Sequence, residues 1–172
     1  MGLLKRSDKK AFYGIPGTDG NVVYNRMKYF TDLSISKNPG EYSRQYVDEA
    51  EERTDVVRYS PSISYSFDDC SGDLVLEDIV KITNNELLGT DAQREIIQVD
   101  FSRPVNEGYE AVKRTFAVIA DSEGDSTDAY TYSGTFKVVS QKILGIAKIA
   151  TPQNGDSDTV ETITFEPTTT GE

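Results

Sequence analysis

Ser62-Ile63-Ser64-Tyr65-Ser66-Phe67 alternates small hydroxyls with large apolar side chains. Successive strand residues point to opposite faces, so Ile63, Tyr65 and Phe67 share one face and the serines the other. This is a half-buried strand. Asp68-Asp69-Cys70-Ser71-Gly72 ends it, and the period then changes. Val75, Leu76, Ile79, Val80 and Ile82 recur at spacings of three and four, which predicts a helix with one broad apolar face. Asp73 is a suitable N-cap, and Glu77 and Asp78 lie where the helix dipole favours negative charge. Asn84 and Asn85 weaken the helix, and Gly89 is the expected stop.

Outward from this pair the chain reads as β. Val22 to Ser36 is rich in Val, Tyr, Phe and Ile, with Leu33 and Ile35 alternating with Ser34 and Ser36. Further strands are expected over residues 95–101, 109–119, 129–139, 143–150 and 160–165. In the third of these, Tyr130, Tyr132, Gly134, Phe136 and Val138 share a face. Many strands and one helix predict a mainly β fold: an antiparallel β-sandwich or barrel flanked by one α-helix. Residues 1–21 are polar and carry the cluster Gly14-Ile15-Pro16-Gly17-Thr18-Asp19-Gly20, so they are expected to form an irregular N-terminal arm. Residues 167–172 are expected to form a mobile tail.

Residues 41–59 resist placement. Tyr42, Arg44 and Tyr46 alternate as in a strand, but Asp48-Glu49-Ala50-Glu51-Glu52-Arg53-Thr54-Asp55 has almost nothing to bury. The segment is either a solvated loop or a long projecting arm.

Composition excludes several chemistries. The chain has 172 residues, enough for a single domain spanning 1–172. It has no His, so a Ser-His-Asp triad, a Cys-His pair and an imidazole metal site are all excluded within it. One Cys makes no internal disulfide, and Cys70 sits among acids, a poor setting for a reactive thiolate. Asp121-Ser122-Glu123-Gly124-Asp125-Ser126-Thr127-Asp128 resembles a calcium loop, but Gly124 is fourth rather than sixth and Tyr132 stands where a bidentate Glu belongs. A polar connecting loop is expected there. Asp68-Asp69 and Glu51-Glu52 are acid pairs without sugar-stacking Trp, so no hydrolase is expected. No catalytic, cofactor-binding or metal-ligating residues are therefore expected. A net charge of −11 opposes unspecific binding to phosphate. No signal segment or membrane span is read, so a soluble protein in a reducing cytoplasm is expected.

Three stretches together resemble a known family: Tyr29-Phe30-Thr31-Asp32-Leu33-Ser34-Ile35-Ser36-Lys37-Asn38-Pro39; Glu41-Tyr42-Ser43-Arg44-Gln45-Tyr46-Val47-Asp48-Glu49 leading to residues 59–67; and residues 121–136. They are similar to the major tail tube proteins of tailed bacteriophages and prophages of Gram-positive bacteria. The resemblance spans about residues 10–149 and carries no catalytic signature. It implies a tail tube-like fold with a long projecting loop, homo-hexameric rings, and stacking into a hollow tube for genome passage into the host. It implies tail tip or baseplate and tail terminator proteins as partners. Tape measure protein and DNA would pass through the lumen without specific binding, with no membrane and no cofactor involved. The location implied is the virion tail, assembled in the host cytoplasm. Residues 41–59 would be the inter-subunit loop, with contacts from Tyr42, Arg44, Tyr46, Asp48, Glu49, Glu51, Glu52 and Arg53. The alternative is a non-enzymatic β-sandwich binding module, an adhesin or carbohydrate-binding domain.

Overall fold

The computed structural model describes residues 2–150 and 159–168. Eleven strands and one α-helix follow in chain order: β1 Lys9–Pro16, β2 Val22–Arg26, β3 Phe30–Ser36, β4 Pro39–Arg44, β5 Arg53–Tyr59, β6 Ser62–Asp68, α1 Leu74–Asn84, β7 Gln93–Val105, β8 Gly108–Glu123, β9 Thr131–Val138, β10 Ile143–Ile149 and β11 Thr162–Pro167. Every pairing is antiparallel.

The long strand β8 organises the sheet. One edge pairs with β7 up to Ala117, opposite Gln93. The other edge gives residues 109–113 to β10 and residues 116–123 to β9. Through β10, β11, β2, β1 and β7 the sheet returns to β8, which closes a six-stranded barrel. Past β9 it runs on through β6 to β3 as an open wing. Barrel and wing together are the mainly β, one-helix architecture expected from the periodicity.

Alternation divides the core in two. In β1, Phe12 enters the barrel interior with Ile97, Val99, Ala111, Ala147, Val160 and Ile163, whereas Tyr13 faces the second core under α1. That second core holds Ile63, Tyr65 and Phe67 of β6, Tyr132 and Phe136 of β9, and Val75, Leu76, Ile79 and Ile82 of α1. Tyr65 and Phe136 stack at 4.5 Å, and Tyr65 lies over Gly134, where any Cβ would collide with its ring and with the Ile119 carbonyl. An eleven-residue helix is marginal alone. Four buried side chains at about 1.5–3 kcal/mol each supply the roughly 6–12 kcal/mol that docks it.

The ends of α1 are specified differently from expectation. The Asp73 carboxylate accepts from the amides of Val75 and Leu76, both at 3.0 Å, as the N-cap reading requires. At the C-terminus Gly89 is not the stop. Glu86 takes the left-handed position (φ 49°), its amide donating to Thr83 and that of Leu87 to Ile82. A side chain in that region costs about 1 kcal/mol or more. Glu86→Gly is therefore expected to stabilise the fold by about 1 kcal/mol. Thermal denaturation should show a rise in Tm of roughly 2–4 °C.

Two expectations are corrected. Residues 9–16 are not an irregular arm: they form β1 in the barrel wall between β2 and β7, with Phe12 and Tyr13 fully buried. Gly14 sits in the strand because Val22 and Tyr24 of β2 crowd its α-carbon, and the true turn is confined to residues 17–21. The extended stretch over residues 22–36 forms two strands, β2 and β3. Tyr29 adopts a left-handed backbone (φ 67°), and the chain passes there from barrel to wing. Pro167 closes β11, and the Thr168 amide donates to Leu144 at 2.9 Å, so these two belong to the sheet. The rest of the expected tail, 169–172, lies outside the described residues.

Candidate functional site

Residues 41–59 form an arm. β4 and β5 pair only with each other, as a two-stranded sheet apart from the main one. The solvated-loop reading gives way to a hairpin whose paired part is about 20 Å long. At its root, Asn38 (φ 48°) donates to the Ser60 carbonyl at 3.1 Å and to Ser62 Oγ at 3.0 Å.

All eight sequence-predicted contact residues fall on this arm or its tip. The Arg44 guanidinium lies 4.3 Å from the Tyr42 ring centre and donates to the hydroxyls of Tyr42 and Tyr46, the latter at 3.2 Å. Arg53 pairs with Glu49 at 2.5 Å, so that acid is neutralised within the arm. Asp48, Glu51 and Glu52 have no cation partner among the described residues. Tyr42, Tyr46, Val47, Val56, Val57 and Tyr59 are exposed, Val47 completely. An isolated hairpin with no core beneath it is marginal in water, and this one displays the residues that interfaces bury.

The wing carries a second feature. Its inner face packs on α1. Its outer face aligns Asp32 and Ser34 of β3, Ser64 and Ser66 of β6, and Ser133 and Thr135 of β9. Hydroxyls and Asp32 bond among themselves there: Ser34 donates to Asp32 at 2.5 Å, and Ser122 and Ser133 share a bond of 2.7 Å. Both lateral edges of the wing lack a strand partner among the described residues. β3 is the last strand of the sheet. β7 stops opposite Ala117, which leaves residues 118–123 of β8 unpaired on that side. Odd-numbered β6 residues point to β9, since Pro61 accepts from Val138 and Asp69 donates to Tyr130. Opposite them, the backbone groups of Leu33 and Ile35 therefore point outward from β3. Arg6 Nη2 caps the Leu33 carbonyl at 3.3 Å. Sequence reading missed these edges because they are set by pairing partners distant in the chain.

No cluster of three metal-ligating side chains occurs among the described residues. The loop after β8 is tied by Thr131 donating to Asp125 and by Gly124 donating to Thr131. Cys70 is exposed. No helix among the described residues is long and apolar enough to cross a membrane.

No family model matches the chain, and no curated protein matches it in sequence. Solved structures do. The SPP1 tail tube, determined by solid-state NMR and cryo-EM, aligns over 83% of this chain and 78% of its own, with 12% identity and a TM-score of 0.60. The chain has a tail-tube fold. The anti-feeding prophage baseplate aligns over 84% of this chain and 97% of its own at 8% identity, with a TM-score of 0.47.

Buried phenols give this fold a pH signature. Burial, then the Asp78 carboxylate, raises the Tyr13 phenol well above its ordinary range. Burial and the 2.5 Å bond to Glu95 raise Tyr24 likewise. Burial pushes Tyr65 up to about 12. The fold thus holds these protons more tightly than the unfolded chain, whose phenols titrate near 10. Their contribution is complete below about pH 10 and is lost as pH rises toward 12 and beyond. The urea midpoint is expected to be insensitive to these groups from pH 7 to 9 and to fall steeply above pH 10.

Proposed function

We propose that this chain is a non-enzymatic structural subunit of a phage-tail-type tube. Copies close head to tail into hexameric rings, and the rings stack into a hollow conduit for DNA. The observation that carries this reading is the wing with its two unpaired edges. Four antiparallel strands leave β3 and the end of β8 running in opposite directions. The β3 edge of one copy and the β8 edge of the next therefore meet antiparallel, and the alternation continues unbroken around a ring. Such contacts are heterologous and satisfy exposed edges, which otherwise invite aggregation.

The wing's outer face suits a bore. It presents hydroxyls and Asp32, and Lys137 is the only cation aligned with it in the register among the described residues. Phosphate passing such a surface finds no row of cations from which to release counterions. The tail-tube fold supports the same role, as does the exposed arm, which serves ring-to-ring contact. The tube would reside in a virion tail after assembly in the host cytoplasm, with residues 1–172 acting as one unit. It would be capped by tip or baseplate and terminator proteins and would admit tape measure protein and DNA.

Negative-stain electron microscopy across a concentration series, with and without tail-tip seeds, tests the proposal. Uniform rings or hollow tubes are expected. A subunit that stays monomeric even when seeded, and binds a saturable carbohydrate or surface ligand, would overturn it in favour of the binding module.

A further inference from the structure

A hollow of about 890 Å³ opens at the root of the arm. Lys37, Arg114 and Lys142 converge on it, alongside Tyr59, Val138 and Val139. None of the three cations has a carboxylate partner among the described residues. That is unexpected in a chain where 29 acids face 18 bases. Arg114 is half-buried, and burial alone lowers its pKa, with no ion pair to offset the desolvation. Such a cation is poised for a partner from outside.

The arm tip supplies the complementary set. Asp48, Glu51 and Glu52 lack cations, and fully exposed Val47 lies beside them. The hollow offers three cations and an apolar lining that includes Val138 and Val139. The tip does not reach the hollow of its own chain, because Lys37 and Tyr59 stand at the root and the paired arm holds the tip about 20 Å away.

We propose that the hollow formed by Lys37, Arg114 and Lys142 receives the acidic arm tip of a second copy of this chain. Each copy then carries one plug and one socket. The contact is heterologous, and with a rotation that does not close, its repetition propagates along an axis. This deepens the tube reading by naming the socket for the arm, and its role in ring stacking rests on that reading.

Charge reversal tests it. E51K/E52K makes the tip basic, and K37E/K142E makes the hollow acidic, with half-buried Arg114 left in place to preserve the fold. Each variant alone is expected to need at least tenfold more protein than wild type to sediment as long assemblies. An equal mixture should recover assembly, because each tip then meets an opposite hollow. Either variant assembling as wild type, or the mixture failing to assemble, overturns the proposal. So does a K37E/K142E variant that assembles normally but loses affinity for a DNA duplex, which would make the hollow a phosphate site. Cross-linking provides a readout independent of tubes. In a C70S background, E51C/Q141C is expected to give a ladder of disulfide-linked oligomers on oxidation at high concentration, whereas each single cysteine variant stops at dimers. Absence of the ladder overturns the contact. A ladder without rings or tubes keeps the contact and overturns the tube reading.

Discussion

Ile35→Pro is expected to leave the subunit folded and monomeric at concentrations where wild type forms rings. Ile35 lies on the edge strand β3, opposite Ile63, with its backbone amide directed away from β6. Proline removes that donor without breaking the ladder to β6, and edge strands accept it for this reason. The side chain is 44% exposed, so its loss costs the core little. What disappears is a bond that a neighbouring copy's β8 would otherwise accept, and the ring imposes rigid pyrrolidine at every junction. Ring closure multiplies the loss by the number of junctions. Ile35→Thr is the control: it trims the same side chain and keeps the amide. Sedimentation velocity should show rings for wild type and Ile35→Thr, and monomer for Ile35→Pro, with matching circular dichroism. Rings formed by the proline variant would remove β3 from the interface.

These edges show where sequence reading stops. β6, β9 and α1 were legible because each has one wet face and one dry face, and that asymmetry imprints a period of two or of 3.6. β1 was not, because Gly14 and Pro16 read as breakers. In the structure Gly14 makes room for its neighbours on β2, and Pro16 merely ends the strand. The arm was half legible. Its exposure followed from its acids, but a hairpin wet on both faces leaves no alternation to read. The hollow was invisible: Lys37, Arg114 and Lys142 come from three distant segments, and only the closure of β8 against β9 and β10 brings them together. Local pattern specifies elements, whereas edges and sockets depend on which elements meet.

Asp78→Ala is expected to be strongly damaging to the fold itself, costing about 3–5 kcal/mol. Asp78 sits on α1 and accepts from Tyr13 Oη at 2.6 Å, from Arg94 Nε at 2.9 Å and from Arg94 Nη2 at 3.4 Å. The side chains of Asp78 and Arg94 are 12% and 11% exposed, and Tyr13 is fully buried. One carboxylate thus joins the helix to the first strand of the barrel and to the start of β7. Without it, the buried phenol loses its acceptor and the guanidinium keeps only the Asp91 and Gln93 carbonyls, and stranding a buried charge costs more than the intact pair contributes. A domain holds only about 5–15 kcal/mol in total, and a drop in Tm of roughly 6–20 °C is expected. Asp78→Asn keeps an acceptor oxygen in place and should lose less. The double variant D78L/R94M removes both charges and fills the space with apolar groups, and should recover much of the loss. If D78L/R94M is as unstable as Asp78→Ala, the stranded charge is not the cause. The cost would then lie in the Tyr13 bond, which a Tyr13→Phe substitution in the D78L/R94M background would relieve.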